Sequence, residues 1–324
     1  MNRYLIIQTA FLGDVVLATP LIEELKRLQP DCEIDVLVKK GNESLLKNHP
    51  KVNTLFTFDK SNGKYRNILK LIQTFRKKKY SRIINLHRFA SSGVITVLSG
   101  SKETVGFDKN PMSRLYTKRL PHIMDGRHEV ERNLSLIADL GAATKVRPQL
   151  YPSDADRQKV ATYQTQPYYC LAPASVWFTK QLPKEKWVEL IQLIPKTAIG
   201  YLLGGKDDFE LCEEIKTNAA CENIRNIAGE LSLLQSAALF EKATRNYVND
   251  SGPLHLCSAM NAPVTAFFCS TTPSLGFGPL SDDSEIAQAK DDVCCRPGGI
   301  HGYKACPEGH FRCGREIDVT TIKY

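Results

Sequence analysis

Short apolar runs alternate along this chain with longer stretches in which apolar residues recur every third or fourth position. The first pattern marks strands buried on both faces, the second amphipathic helices. Tyr4-Leu5-Ile6-Ile7-Gln8 reads as the first strand. A helix is predicted over 15–29, on Val15, Leu17, Leu21, Ile22, Leu25 and Leu28. Strands are predicted at 33–38 and 52–58, with a short helical piece at 43–47. A basic helix over 68–78 then leads to a strand at 82–86. A helix starting at 93, a short strand at 104–107 and a long helix over 127–140, ended by Gly141, close the series.

The stretch 151–167 is polar and less patterned, and the alternation then restarts. Strands at 168–172, 198–203 and 224–228 alternate with helices at 184–193, 208–216 and 233–243. Tyr247-Val248 follows, then the turn Asn249-Asp250-Ser251-Gly252-Pro253, a short helix through 256–260 and a strand at 264–268. Two successive βα series predict an α/β chain of two domains, 1–160 and 161–324, with a cleft between them. Ligands of open α/β sheets bind beyond the carboxyl ends of the strands, so the chemistry is expected in those loops.

Composition adds little to the fold but bounds the function. A hydrophobic content of 42% with 24% charged residues is that of a globular protein, and no run approaches a membrane span. Cys32, Cys170, Cys212, Cys221, Cys257 and Cys269 are scattered through apolar runs, which suits buried free thiols in a reducing, cytoplasmic compartment. The net charge is +8, and the segment 60–82 carries nine basic residues and no acidic one. Such a segment suits an anionic membrane face or a phosphorylated acidic glycolipid; Lys77, Lys78 and Lys79 also read as an ordinary solvated helix face. No nucleic-acid motif accompanies it, so nucleic acid is not expected as a partner.

Three loops of the second half end in small or charged residues: Pro173-Ala174-Ser175 with Lys180, Gly204-Gly205-Lys206-Asp207-Asp208, and Asp250-Ser251-Gly252. Backbone amides exposed by glycine and serine hold phosphate oxygens, a lysine pairs with them, and a carboxylate accepts from ribose hydroxyls. Gly252 and Pro253 suit a helix start; the turn is either an ordinary cap or a diphosphate site. The chain has neither a Walker A sequence nor a Gly-x-Gly-x-x-Gly turn after its first strand, which disfavours P-loop and NAD chemistry. In the first half, Gly13-Asp14 follows the first strand. Asp14 reads either as a helix cap or as a general base projecting into the cleft.

Ile7-Gln-Thr-Ala-Phe-Leu-Gly-Asp-Val-Val-Leu-Ala-Thr-Pro20 resembles the opening signature of glycosyltransferase family 9, the ADP-heptose:lipopolysaccharide heptosyltransferases. Lys180-Gln-Leu-Pro183 with Trp187, Asn226-Ile-Ala-Gly229 with Leu231, and Asp250-Ser-Gly-Pro-Leu-His255 extend the resemblance in order along nearly the whole chain. The resemblance implies a GT-B fold: two Rossmann-like domains facing across a cleft, with the last segment packing back on the N-terminal domain. It implies an inverting, metal-independent transfer of heptose from ADP-heptose to the lipopolysaccharide inner core, with no cofactor. Asp14 would be the catalytic base. Ser175, Lys180, Asp208, Leu231, Asp250, Ser251, Gly252 and His255 would bind the donor nucleotide: Asp208 at the ribose, Leu231 at the adenine, Asp250 and His255 at the phosphates. His255 could equally serve the packing of its helix. Ser251 and Pro253 stand where the family often has Thr and Leu, and Val176 where it often has a second threonine.

The acceptor implied is an acidic glycolipid, and Lys60, Lys64 and Arg66 are the residues expected to bind it, or to hold the enzyme peripherally at the inner face of the membrane. Two other readings remain: a transferase of the same fold with another nucleotide sugar or envelope glycan, and a non-catalytic nucleotide-sugar or glycan-binding protein, for which a base at Asp14 would be superfluous. Near the end, Cys294, Cys295, Cys306 and Cys313 lie with His301 and His310 in a Pro/Gly-rich segment. They are either weak candidates for a metal or disulfide site or free thiols in a packed loop.

Overall fold

The computed structural model describes residues 1–290 and 293–324. The chain divides into two units, Met1–Tyr151 and Pro152–Tyr324.

The first unit contains β1 (Arg3–Gln8), α1 (Leu12–Val16), α2 (Thr19–Leu28), β2 (Glu33–Lys39), β3 (Thr54–Phe58), α3 (Lys64–Lys78), β4 (Arg82–Asn85), α4 (Ala90–Leu98), β5 (Glu103–Phe107), β6 (Lys118–Leu120) and α5 (Glu129–Ser135). Its strands form one parallel sheet in the order β3-β2-β1-β4-β5-β6. The middle strands are buried on both faces, which is why they read as continuous apolar runs: Leu5, Ile6, Ile7, Ile83 and Ile84 are wholly buried.

Two predicted helices turn out shorter. The one expected over 15–29 is broken into α1 and α2, with Pro20 in the first turn of α2. Proline has no N–H to donate and its ring crowds the carbonyl four residues back, so the helix restarts there. The one expected over 127–140 stops at Ser135 and is followed by a single tight turn, Ala138–Leu140. The edge strand β6 carries no apolar alternation and is half exposed, so periodicity could not announce it.

The second unit contains α6 (Asp154–Val160), β7 (Tyr168–Ala172), α7 (Lys184–Leu193), β8 (Ile199–Leu202), α8 (Phe209–Ala219), β9 (Ile224–Asn226), α9 (Leu233–Glu241), β10 (Arg245–Asn249), α10 (Gly252–Met260), β11 (Val264–Phe268), β12 (Ser284–Gln288) and α11 (Arg312–Arg315). Its sheet is also parallel, ordered β12-β11-β10-β7-β8-β9. Both units therefore have the same topology. The first and fourth strands of each lie side by side, and the chain winds outward from that pair in opposite directions. Such a switch point opens a crevice at the carboxyl ends of the two strands.

Trp187 anchors the second core, fully buried and edge-on to Phe267 at 5.3 Å. Ile317, Val319 and Ile322 are buried in the same core. The last segment thus belongs to the second unit, where the family resemblance implied that it returns to the first domain. The boundary also falls earlier than expected. Tyr151 stays with the first unit, donating to Glu23 at 2.7 Å and meeting the His49 ring edge-on. Just beyond it, Ser153 caps α6 and Arg157 pairs with Glu241 of α9. Residues 152–160, expected in the first domain, are the opening helix of the second. Among the described residues no helix is long and apolar enough to cross a membrane.

The fold divides the basic segment. Lys78 pairs at 3.0 Å with the buried carboxylate of Asp35, which also accepts from Tyr80 at 2.6 Å. Arg82 is buried against Glu103 and Asp139. Lys77 is exposed. Lys78→Met removes the countercharge of a buried carboxylate and is expected to cost about 1–3 kcal/mol in a urea melt. Lys77→Met should change stability by less than about 0.5 kcal/mol. Equal effects of the two would contradict this division.

Candidate active site

In the first unit, Asp14 lies in the loop-to-helix turn that leaves β1. It is the third residue of α1, and its Oδ2 accepts from the Phe11 N–H at 3.2 Å. Asp14 therefore does cap its helix, but from inside the first turn and not from the cap position. The side chain is only partly open to solvent. Burial, with the negative charge of Glu129 as the next cause, pushes its carboxyl up to about 6; the Phe11 N–H and Lys109 act in the opposite sense. A carboxylate that protonates this close to neutrality is a stronger base than an exposed aspartate while remaining ionised at physiological pH.

Cations gather at the same edge. Lys60 follows β3 and its Nζ donates to the Thr9 carbonyl at 2.6 Å. Burial, then Lys39 and Lys64, lower its pKa. Thr9 Oγ1 shares a hydrogen bond of 3.0 Å with His87 Nδ1, beyond β4. Burial, followed by the charges of Lys60, Arg88 and Lys109, pushes His87 down to about 3, so that imidazole is neutral at physiological pH. Lys109, beyond β5, is itself lowered by burial and held up by Glu129. Burial opposes the charge on Glu129, but His122, Lys109 and Arg132 outweigh it and bring its carboxyl down to about 2. Arg88 lies over the exposed ring of Phe89, 5.2 Å from its centroid.

The three residues expected at the acceptor differ in exposure. Lys60 is half-buried beside the loop that leads to Asp14, whereas Lys64 and Arg66 are exposed on the first turn of α3. Arg88 and Lys109 were missed by sequence reasoning. The usable signal was their position just after predicted strands, which the concentration of charge at 60–82 obscured.

In the second unit the β7–β10 switch point organises the expected donor residues. Lys180 closes a short turn after β7, and its Nζ meets Asp250 Oδ2 at 2.7 Å. The same oxygen accepts from Thr271 Oγ1 at 2.6 Å. Asp250 is almost fully buried, and its carboxylate is occupied by Lys180 and Thr271. The sequence reading set Asp250 at the donor phosphates; the contacts the structure gives its carboxylate are to the lysine and to Thr271.

Two buried residues that sequence reasoning passed over hold this arrangement. Asn249 ends β10; its Oδ1 accepts from the Leu182 N–H at 2.9 Å and its Nδ2 donates to the Pro173 carbonyl at 2.7 Å. One amide thus ties both flanks of the β7 loop to the start of the Asp250 turn. Thr179 accepts through its hydroxyl from the Tyr303 N–H at 2.7 Å, and through its carbonyl from the Ser270 N–H at 3.1 Å. A Cβ at Gly302 would stand 3.0 Å from Lys180 Cγ, so the C-terminal loop lies directly against the lysine stem.

Ser251 is the N-cap of α10, with extended backbone and no side-chain cap, and Gly252 and Pro253 open the helix. Ser251, Gly252 and Ser175 are partly exposed, and His255 is buried one turn into α10. Asp208 accepts from the Gly205 N–H at 2.7 Å and so fixes the loop after β8. That loop is joined to the next one by a hydrogen bond of 2.9 Å from Gly229 N–H to the Gly204 carbonyl. Leu231, half-buried, follows Gly229, so the residues expected at ribose and adenine occupy two bonded loops.

Cys294 is exposed, while Cys295, Cys306 and Cys313 line one cavity of about 290 Å³ together with Thr179 and Ser270. Burial, then Cys295 and Cys306, push the Cys313 thiol up to about 11. All four thiols are unbridged, and among the described residues no three His, Cys, Asp or Glu groups stand so as to hold a metal ion. The segment's evident structural part is to brace the Lys180 turn.

Residues 68–296 match the family model for glycosyltransferase family 9 (heptosyltransferase). The chain is 28% identical to Lipopolysaccharide heptosyltransferase 3 of Escherichia coli over 279 residues, 81% of this chain and 82% of that one. It is 24% identical to Lipopolysaccharide heptosyltransferase 1 of Campylobacter coli, over 83% and 84% of the two chains. Among solved structures it resembles E. coli ADP-heptose lps heptosyltransferase II with a TM-score of 0.77 and 23% identity, over 92% of this chain and 95% of that one. A family 9 glycosyl transferase from Veillonella parvula gives 0.79 and 20%, over 88% and 85%. E. coli heptosyltransferase WaaC, solved with ADP, gives 0.75 and 21%, over 89% and 93%. These likenesses span both Rossmann-like units, which together are the GT-B fold. With a family match across most of its length, the chain belongs to glycosyltransferase family 9 and is a glycosyltransferase.

Proposed function

We propose that this enzyme transfers a heptose from ADP-heptose to the inner core of lipopolysaccharide, with inversion at the anomeric carbon and without a metal ion. The observation that carries the reading is the pair of switch-point sites. One presents a carboxylate of raised pKa; the other presents a lysine, a serine and the start of a nine-residue helix. The relatives' names support this choice of donor and acceptor: they are lipopolysaccharide heptosyltransferases, with ADP in a related structure.

In this reading Asp14 accepts the proton of an acceptor hydroxyl while that oxygen attacks the anomeric carbon. The bond from that carbon to the diphosphate oxygen breaks, and the electron pair leaves with ADP. Charge grows on the diphosphate as the bond breaks. Lys180, the Ser251 and Gly252 amides and the dipole of α10 are the groups proposed to stabilise it. Asp250 acts as a positioning residue: it holds Lys180 extended, and the diphosphate is the stronger competing anion. Ser175 and His255 complete the phosphate contacts, Asp208 takes the ribose hydroxyls and Leu231 covers the adenine. Lys60, with Arg88 and Lys109, meets the acidic groups of the acceptor beside Asp14, and Lys64 and Arg66 extend that field along α3. The enzyme works on the cytoplasmic side, where both substrates would be met.

Asp14→Asn keeps the shape of the side chain and loses the base. Its transfer rate should fall about 10²–10⁴-fold with ADP affinity unchanged by calorimetry. In the wild type the base must be ionised, so kcat/KM should rise with pH through about 6, level off above it, and lose this limb in the Asn variant. A variant at wild-type rate would refute the base. Lys60→Gln and Lys109→Gln should each raise the acceptor KM, by about tenfold if the contact is worth a charge-assisted hydrogen bond, and leave donor KM unchanged. An unchanged acceptor KM in both would remove them from the acceptor site.

A further inference from the structure

α1 and α4 leave β1 and β4, the two strands at the first switch point, and both begin on a phenylalanine. Phe11 is the N-cap of α1 and Phe89 the N-cap of α4. Each has extended backbone, and neither side chain caps the helix it starts. Serine, threonine, aspartate or asparagine is the usual residue there, and an apolar N-cap forgoes that side-chain hydrogen bond. The two rings are not buried in exchange: Phe11 is 57% exposed and Phe89 54%. The strands place them in matching positions. The ladder pairs Ile7 with Asn85, continues from the Leu86 N–H to the Ile7 carbonyl at 3.0 Å, and is followed by the Thr9–His87 contact. Phe11 and Phe89 each stand two residues beyond that contact.

A loose backbone does not account for the exposure. The Ala10 carbonyl accepts from Asn42 Nδ2 at 3.0 Å, and the Phe11 N–H donates to Asp14 at 3.2 Å. The Phe89 carbonyl accepts from Ser92 Oγ at 2.8 Å and from Asn110 Nδ2 at 3.1 Å. Two rings are thus held in water on tied loops, one of them on the residue whose N–H holds the carboxylate proposed as the base. A cation accompanies each. Lys60 donates to the Thr9 carbonyl, two residues before Phe11, and Arg88 lies 5.2 Å from the Phe89 ring centroid. A ring beside a cation suits an acidic pyranose: its carboxylate or phosphate meets the cation, and the apolar C–H face of the sugar lies on the ring. A hydrocarbon ligand would use the rings and leave the cations; a simple phosphate would use the cations and leave the rings.

We propose that Phe11 and Phe89 are sugar-binding residues of the acceptor site, packing on the C–H face of an acidic pyranose and so aiming its hydroxyl at Asp14. This rests on the reading of Asp14 as the base of a sugar transfer. The probe is a deacylated inner-core saccharide. With ADP-heptose saturating, Phe11→Leu and Phe89→Leu should each raise the acceptor KM about fivefold, the worth of an aromatic face beyond its area, and leave the donor KM unchanged. Phe11→Tyr and Phe89→Tyr keep that face and should stay within about twofold of wild type. The contact itself is read without turnover, in an Asp14→Asn chain deuterated except at phenylalanine. Saturating the ring protons should transfer magnetisation to the C–H protons of one face of the saccharide. That transfer should vanish when both phenylalanines are leucine. Both positions are exposed, so the melting temperature should be unaltered.

Leucine variants that keep the wild-type acceptor KM overturn the proposal. So do tyrosine variants that lose as much as the leucine ones, or a magnetisation transfer that survives removal of both rings. A raised KM for donor and acceptor alike, with a lowered melting temperature, would make the rings structural and overturns it as well. The contact and the reaction fail separately. Saccharide binding that depends on both rings, in a wild-type chain unable to transfer heptose, would leave the contact standing and remove the transfer reading. Heptose transfer that ignores both leucine substitutions would do the reverse.

Discussion

Everything this enzyme presents to a ligand depends on one constraint of chain geometry: in each sheet the first strand lies beside the fourth. Parallel strands need crossover connections, so loops leaving neighbouring strands normally run to the same side. Only where the winding reverses do two adjacent loops part and leave room at the carboxyl edge. Both units have that reversal, at β1–β4 and at β7–β10. Asp14, Arg88 and the loop Lys60 supports gather at the first. Lys180, Asp250 and the start of α10 gather at the second. The residues that look scattered over the sequence are those the winding brings to two points.

Charge at these points is organised by burial as much as by contact. Asp14 is made more basic mainly by losing water, with Glu129 adding to the effect. Glu129 is in turn kept ionised by His122, Lys109 and Arg132. In the second unit the order is reversed: a buried carboxylate exists to hold a cation. Breaking such a pair is costly because a lone buried charge is left behind. Asn249 and Thr179 tie these loops together, and the Asn249 hydrogen bonds lie within the interior.

Much of this was legible in the sequence. The inner strands announce themselves because both faces are buried, and the turn residues at 13–14, 204–208 and 250–253 mark loops at the carboxyl edges of the sheets. What failed has physical causes. Edge strands β6 and β12 have no apolar pattern to read. Pro20 divides a helix whose apolar periodicity runs straight across the break. Ser153 begins a capped helix inside a stretch that looked like linker. Charge counting could not tell Lys78, which neutralises a buried carboxylate, and Arg82, itself buried between two carboxylates, from Lys70 and Lys77, which face water. Nor could it show that Asp250 faces Lys180, or that Asn249 and Thr179, of ordinary residue types, hold the loops together. Such roles belong to pairs of residues distant in sequence.

One product analysis tests the proposed chemistry directly. The enzyme is given ADP-heptose and a deacylated inner-core saccharide, and the new glycosidic linkage is read by NMR. The account predicts one heptose added for each ADP released, with the anomeric configuration opposite to that of the donor. A retained configuration, or transfer from another sugar nucleotide while ADP-heptose is left untouched, would contradict it.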